Sequence, residues 1–577
     1  MNRPEKTKKL IIAVALTTVT FLFFNFFYAY HLFFKEQTQL FLFSSTYLFS
    51  YFDKPAWLAA LSGDFLTQFF YLRGGGPAVL AALFVTEWFL AYSVIKKISK
   101  SKFAAIWAFF PVATDFVSHL SLAHNARISV GFILTLLLFL VYGKIKNRSL
   151  SLAFAFLVAL SGYWFLGSSV VVFPFLVLLS DKDLKRIFLH LPLLPFVFVL
   201  PFILRAKYLL PINETLLFPA ILLKSLLPLS ALILAAFAAV IFQKNKHFFP
   251  VLTETSIATI LLLLIIVFGI NSNAGFKREK IFALDTETYF GKIDKVIELA
   301  EKSKMESRFV AYYTNMALAK KGELPNRLLG FYQPAVQGLI LPVSQNENWQ
   351  TILFSNELFY LLGDMNLAQH SAMLGNTFSP YQRSSRMMKR LAEINMVNGD
   401  YPSAEKFLRI LDHTLFHKKW AQQKFSENNA NCNSSWLLEK RAQVAHSDTI
   451  RNSYDYIQSI EFLVQQNPEN LIALDYLLSF YLLNKDLVSF KTAYDKYAKL
   501  LKRPVPKLYA EALLIKLFQD KVSQEEVLTY RIDSEQMRKF AEYTNIFEKA
   551  RGNIDQLKTG FEFTYWFYYH FATFKEN

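Results

Sequence analysis

The sequence predicts an all-α membrane protein: a polytopic transmembrane helical bundle of about nine spans, one a short hairpin, followed by an α-solenoid of repeated helix pairs. Three observations carry that prediction. Hydrophobic residues make up 53% of the 577 and aromatics 16%, with 59 Phe, more apolar surface than a water-soluble chain of this length hides. Apolar runs recur as far as Ile270, and from Asn271 onward none reaches spanning length. Beyond that point Gly363-Asp364 and Gly399-Asp400 place the same turn 36 residues apart.

The first run, Leu10–Phe34, follows Arg3, Lys6, Lys8 and Lys9 and lacks a small-x-small cleavage site, so it reads as an uncleaved span with a cytoplasmic N-terminus. Further spans are expected at Gly76–Ile95, Phe103–Leu122, Ile128–Tyr142, Ile187–Leu204, Ala220–Phe242 and Val251–Ile270. Ser149–Ser180 decides the parity. As one helix it would run about 48 Å against a hydrocarbon core of about 30 Å. Basic residues flank it on both sides, Lys144, Lys146 and Arg148 before and Lys182, Lys185 and Arg186 after. Both ends therefore belong on one side, which predicts a hairpin with its tip in "SGYWFLGSS". That makes nine crossings of a bacterial inner membrane, a membrane domain over 1–270 and a periplasmic helical domain over 271–577.

The net charge of +17 fits this division: 23 Lys+Arg against 10 Asp+Glu up to Ile270, then 39 against 35. The second half shows no basic block, which argues against a nucleic-acid partner. The single cysteine, Cys432, excludes intrachain disulfides and Cys-rich metal sites.

Residues 35–75 form an unusually greasy first outer loop. Over Ala56–Leu72 a helical reading puts Leu58, Leu61, Phe65 and Phe69 on one face and Asp64, Thr67, Gln68 and Tyr71 on the other. Such a helix should lie in the interface with Asp64 turned toward an outer mouth. At the same level Glu36 ends the first span, Asp115 and His119 lie near the outer end of the third with His124 and Arg127 in the turn after it, Arg205 and Lys207 end the span before "YLLPINETLLFP", and Lys224 begins the next. Glu87 alone falls mid-span. Acids and bases at one membrane face suit a site where Arg and Lys hold a lipid-linked phosphate while a carboxylate takes a proton or holds a divalent metal. The ordinary alternative is that these charges face water and headgroups. Asp115 and His119 do not fill a coordination shell, so no metal ligand set is assigned and the cofactor stays unknown.

In the second half, "ELFYLLGDMNLAQHSAMLGNTFSPY" and "RMMKRLAEINMVNGDYPSAEKFLRIL" each read as helix, Gly-Asp turn, helix, in the manner of tetratricopeptide repeats. A degenerate third copy covers Asn467–Leu501, offset by an insertion around Asn428–Asn452. Such pairs bind a protein or peptide, or form a lid on the membrane half. No Ser/His/Asp set, phosphate loop or His/Cys cluster points to catalysis there.

"KEQTQLFLF", "GDFLTQFFYLRGGGP", "GYWFLG" and "YYTNMALAKKGELPNRLLGFYQP" resemble an uncharacterised family of multi-pass bacterial membrane proteins, over most of the chain. The architecture is also similar to the C-type membrane glycosyltransferases, which use polyprenyl- or dolichyl-phosphate sugars and a carboxylate in the first outer loop. That likeness implies Glu36 or Asp64 as base and Arg205 or Lys207 at the donor phosphate. Gln68, Arg73 and Arg127 join them as substrate-binding candidates. The paired acids usual in that superfamily are replaced here by the lone Glu36. Two hypotheses stand: a glycosyltransferase taking a lipid-linked sugar, and a non-catalytic scaffold whose helical repeats bind a protein partner. Transport, with Glu87 and Asp115 on a proton path, is a third.

Overall fold

A computed structural model of the chain describes residues 3–244, 251–343, 347–445, 455–499, 501, 503–550 and 554–573. Among the described residues every regular element is helical. The chain divides into two compact units, Met1–Glu279 with His413–Lys418, and Lys280–Asp412 with Lys419–Asn577.

The first unit opens with α1 (Arg3–Leu22), which continues through a π turn at Phe23–Phe27, then α2 (Tyr30–Gln37), α3 (Ser45–Phe49) and α4 (Trp57–Thr67). The bundle proper follows: α5 (Gly75–Ser99), α6 (Ala104–Trp107), α7 (Phe109–Ser118), α8 (Ala126–Tyr142), α9 (Arg148–Leu166) and α10 (Val172–Ser180). Next come α11 (Leu184–His190), α12 (Leu193–Tyr208), α13 (Ile212–Thr215), α14 (Leu227–Lys244), α15 (Val251–Asn273) and the start of α16 (Phe276–Tyr289). Among the described residues six stretches are long and apolar enough to cross a membrane: Glu5–Phe27, Gly75–Ser99, Arg148–Ser180, Leu184–Tyr208, Leu223–Gln243 and Glu254–Asn273. Ala104–Ser118 and Ala126–Tyr142 are shorter apolar helices. Phe26 is 70% exposed and Phe268 66% exposed on helices with almost no polar face. Water does not accept such a surface and lipid does, so the chain is a membrane protein.

Two details of the bundle follow from local chemistry. The first apolar helix ends at Phe27, not at Phe34 as expected. Tyr28 leaves helical geometry at φ −145° and its hydroxyl donates to the Leu120 carbonyl at 3.0 Å. Helix α2 then starts afresh because Glu279 caps it, accepting from the Tyr30 amide at 2.6 Å and the His31 amide at 3.0 Å. The stretch Arg148–Ser180 is a hairpin. Gly167 (φ +65°) turns the chain, Val170 packs against Gly162, and Arg148 Nη2 lies 3.9 Å from Asp183 Oδ2. Glycine serves at 167 because a Cβ there would sit 2.4 Å from the Phe218 carbonyl oxygen.

Ion pairs and rings show which helix ends lie together. Tyr92, late in α5, donates to Glu5 at 2.9 Å, and Lys9 sits 4.4 Å from its ring centre. Lys97 lies against Gly143 after α8. His190 meets Asp181 at 2.7 Å and Tyr142 at 3.4 Å. The start of α1 and the ends of α5, α8 and α10 therefore share one end of the bundle, where the basic segments collect. The loop 245–250, which holds Lys246, lies outside the described residues.

The second unit is built of antiparallel helix pairs. Trp349–Leu362 packs on Met365–Thr377, that helix on Ser385–Val397, and that one on Tyr401–Asp412. The expected turns are present. Gly363 (φ +85°) and Gly399 (φ +77°) close one helix in left-handed geometry, and Asp364 and Asp400 cap the next by accepting from the amides of Leu367 and Ser403. In the third copy Lys485 (φ +60°) stands where the glycine was, and Asp486 accepts from Ser489. Ala368, Ala372 and Ala404 are fully buried where the paired helices meet. Part of the insertion, 446–454, lies outside the described residues.

Candidate functional site

The expected catalytic carboxylates lie in the first unit. Asp64 sits on α4 and faces α8, not an outer mouth. Arg127, in the first turn of α8, donates to it through Nε to Oδ1 and Nη2 to Oδ2, both at 2.7 Å. The close approach requires Gly63, since a Cβ there would lie 2.5 Å from the Arg127 backbone nitrogen. Tyr51 adds a third bond, donating to Asp64 Oδ2 at 2.6 Å. Burial, then the charge of Asp64, pushes the Tyr51 hydroxyl far up, so it stays a donor. The polar stripe of α4 thus turns into the protein, with Thr67 and Gln68 also buried, while Phe65 is exposed. The amphipathic reading of this helix was right in pattern. Its polar face meets protein instead of water: α8 satisfies Asp64, and Thr67 and Gln68 donate to carbonyls of their own helix.

Glu36, at the end of α2, is buried and meets His417 Nε2 at 3.2 Å through Oε1. Lys35 beside it is also buried, and its ammonium donates to the His124 carbonyl at 2.7 Å. Burial pushes that ammonium down to about 7, against the pull of Asp115. Glu279, with its two backbone donors, is pushed up to about 8 by burial. The remaining expected site residues do not converge on these acids. Gln68 donates to the Phe65 carbonyl of its own turn at 3.3 Å. Arg205 donates to the Leu210 carbonyl at 3.1 Å, and Lys207 lies over Tyr208. Arg73, Arg205 and Lys207 are exposed, and none pairs with Glu36 or Asp64.

A tighter cluster lies between α7 and α8. Asp115 and His119 are one helical turn apart, and the loop after α7 returns His124 beside them. His124 Nε2 is 2.9 Å from Asp115 Oδ1, and His119 Nε2 is 3.7 Å from Oδ2. Ser129 donates to Asp115 Oδ2 at 2.7 Å and lies 2.9 Å from His119 Nε2. The three ligand-type side chains are buried. Glu87 on α5 is buried too, within the electrostatic reach of Asp115.

The second unit carries a cleft of about 560 Å³. Its charged lining is balanced: Glu301, Glu306 and Glu511 against Lys304, Arg327 and Lys507. Tyr332 and Phe563, exposed by 46% and 59%, add aromatic surface. Glu511 is buried and accepts from the Tyr565 amide at 2.6 Å through Oε2, while Oε1 has no hydrogen bond and lies 3.8 Å from the Lys507 ammonium. Burial pushes this carboxyl up to about 7. Nearby helices are locked by a buried ion network. Arg386 meets Asp285 at 2.7 Å and Glu357 at 2.9 Å, and Arg390 meets Glu357 at 2.7 Å. Burial alone would raise Glu357, but Arg390 and Arg386 hold it at about 2.

A protein-family model matches residues 5–572. The chain belongs to the family of unknown function DUF6057. No curated protein and no solved structure matches it. The expected membership of an uncharacterised family therefore holds.

In this DUF6057 chain the structure joins Asp64 to Arg127 and leaves the other expected cations apart. Sequence reasoning noticed His124 without grouping it with Asp115 and His119. The helical i, i+4 rule links the first two, but nothing in spacing tells how the loop 120–125 returns. A histidine and a serine flanking the start of the next helix were the available signal.

Proposed function

We infer that this protein is a membrane-anchored binding protein, in which the first unit anchors the chain and the cleft of the second unit takes a peptide segment of a partner. The carrying observation is the cleft: equal numbers of acids and bases, exposed Tyr332 and Phe563, and a buried Glu511 whose Oε1 has no hydrogen bond and only Lys507 near it, at 3.8 Å. A phosphate ligand calls for net positive lining and a lipid tail for an apolar one. Balanced charge, aromatic surface and a buried acceptor suit a peptide, which brings N–H donors and side chains of both signs. The helix pairs with their Gly-Asp turns support a tetratricopeptide-like reading of this unit.

Nine crossings of a bacterial inner membrane are supported by the hairpin at Gly167, which adds a pair of crossings where length alone counts one, and by the shorter apolar helices α7 and α8. Gathering of the basic ends supports a cytoplasmic N-terminus and a periplasmic second unit. The glycosyltransferase reading needs a carboxylate free to take a proton beside a cation that holds phosphate. Asp64 engages Arg127 with both oxygens, and Arg205 and Lys207 pair with neither acid, so the geometry lends that reading no support.

The test is selection of displayed peptides on the full chain in lipid nanodiscs. Enriched peptides should bind Glu511→Gln at least about tenfold more weakly, the cost of one charge-assisted hydrogen bond. They should also lose affinity for the Tyr332→Ala, Phe563→Ala double variant. Peptides that bind both variants as well as the parent, or no enrichment over empty nanodiscs, would sink the proposal.

A further inference from the structure

We propose that Asp115, His119 and His124, completed by Glu87, form a buried site for one first-row transition-metal dication, of the zinc or ferrous-iron kind. Asp115, His119 and His124 meet at one point, and Glu87 on α5 lies beside Asp115. Their ligand atoms (one from each of Asp115, His119 and His124) all lie within 4.8 Å of one another. That is wider than a closed tetrahedral shell with bonds of about 2.0–2.2 Å, so an ion would draw the side chains inward by about an ångström.

The polar accounting is what calls for a ligand. Buried polar groups in folded proteins find partners, and exceptions need a reason. Here the exceptions cluster. The Nδ1 atoms of His119 and His124 have no hydrogen bond, and the fully buried carboxyl of Glu87 has no close partner but the Asp115 carboxyl. Two carboxyls, Glu87 and Asp115, are buried side by side, and a dication bound among them would be balanced by their two charges.

The donor set selects the ion. Two imidazoles with carboxylates suit zinc or ferrous iron, whereas magnesium and calcium take oxygen ligands throughout. The surroundings resemble those that hold metal ligands in place. Ser129 donates to Asp115, His31 donates to the His119 carbonyl at 2.9 Å, and Lys35 donates to the His124 carbonyl. This site stands apart from the cleft of the second unit, and either proposal can fail alone.

The experiment uses the full chain in detergent, stripped with EDTA and titrated with Co²⁺ as a coloured stand-in. A single cobalt per chain should survive gel filtration, show the visible d–d bands of low-coordinate cobalt, and be displaced by Zn²⁺ and not by Mg²⁺. Asp115→Asn and His124→Gln should each weaken binding by about 100-fold or more, and Ser129→Ala by about tenfold, as expected for a supporting hydrogen bond. Where a ligand variant fails to fold, Glu87→Gln, which preserves volume, decides, with an expected loss of about tenfold. No cobalt retained by the parent chain, displacement by Mg²⁺ at equal concentration, or unchanged affinity in natively helical variants would overturn the proposal.

Discussion

Replacing Asp64 by asparagine tests whether this acid is a structural clamp or a base. In the parent chain both oxygens meet the Arg127 guanidinium at 2.7 Å, with side chains 8% and 16% exposed. The substituted side chain would keep one acceptor and turn an amide toward the guanidinium, leaving a positive charge in a site that water hardly reaches. Breaking one partner of a buried pair costs about 3–5 kcal/mol. The retained acceptor places Asp64→Asn at the lower end, about 3 kcal/mol. At about 2–4 °C per kcal/mol for a unit of this size, melting should fall by roughly 6–12 °C. The assay is thermal unfolding of the full chain in detergent, followed by circular dichroism. The clamp account makes a second demand: Asp64→Asn combined with Arg127→Met removes the stranded charge and should recover more than half of the loss. A change under about 0.5 kcal/mol in Asp64→Asn, the size of an ordinary surface substitution, would refute the reasoning.

Three other outcomes follow from the same geometry. Gly63→Ala should lower stability by about 1–3 kcal/mol in the same melting assay, because its methyl group would force α4 away from the Arg127 backbone. Glu279 holds a proton in the folded chain up to about pH 8 that the unfolded chain sheds near its ordinary value of 4.5, so its contribution is present below about 4.5 and lost as pH rises through 8. Melting measured from pH 5 to 8 should therefore slope downward, by up to about 1.4 kcal/mol per unit, and Glu279→Gln should flatten it. Arg386→Met strands Asp285 and half of Glu357's pairing, and limited proteolysis should show the second unit opening, with a cost of about 3–5 kcal/mol.

Hydropathy located the spanning stretches because lipid demands a length and a composition, and both are written locally. Basic flanks on both sides of Ser149–Ser180 foretold a hairpin, and Arg148 near Asp183 bears out the return of the chain. The turns at Gly363 and Gly399 were equally legible, since left-handed backbone and an aspartate cap are chemistry of neighbouring residues. What could not be read was partnership across the chain. Spacing along α4 puts Asp64 on a polar face, but only packing shows that Arg127, 63 residues on, satisfies it. The end of the first helix at Phe27 depends in the same way on Glu279, 249 residues beyond Tyr30. His124 was visible as a residue and invisible as a ligand for the same reason.

The claim on which the rest depends is that an odd number of crossings carries the second unit outside. The native chain has only Cys432, so the Cys432→Ser background is free of cysteine. Into it go Asn433→Cys, exposed in the second unit, or Lys146→Cys, exposed among the gathered basic ends. Intact spheroplasts are treated with a membrane-impermeant maleimide. The account predicts labelling of the Asn433→Cys variant in intact spheroplasts and of the Lys146→Cys variant only after lysis. Labelling of the Asn433→Cys variant only after lysis would place the second unit inside and contradict it, and protection of both variants would mean an even number of crossings.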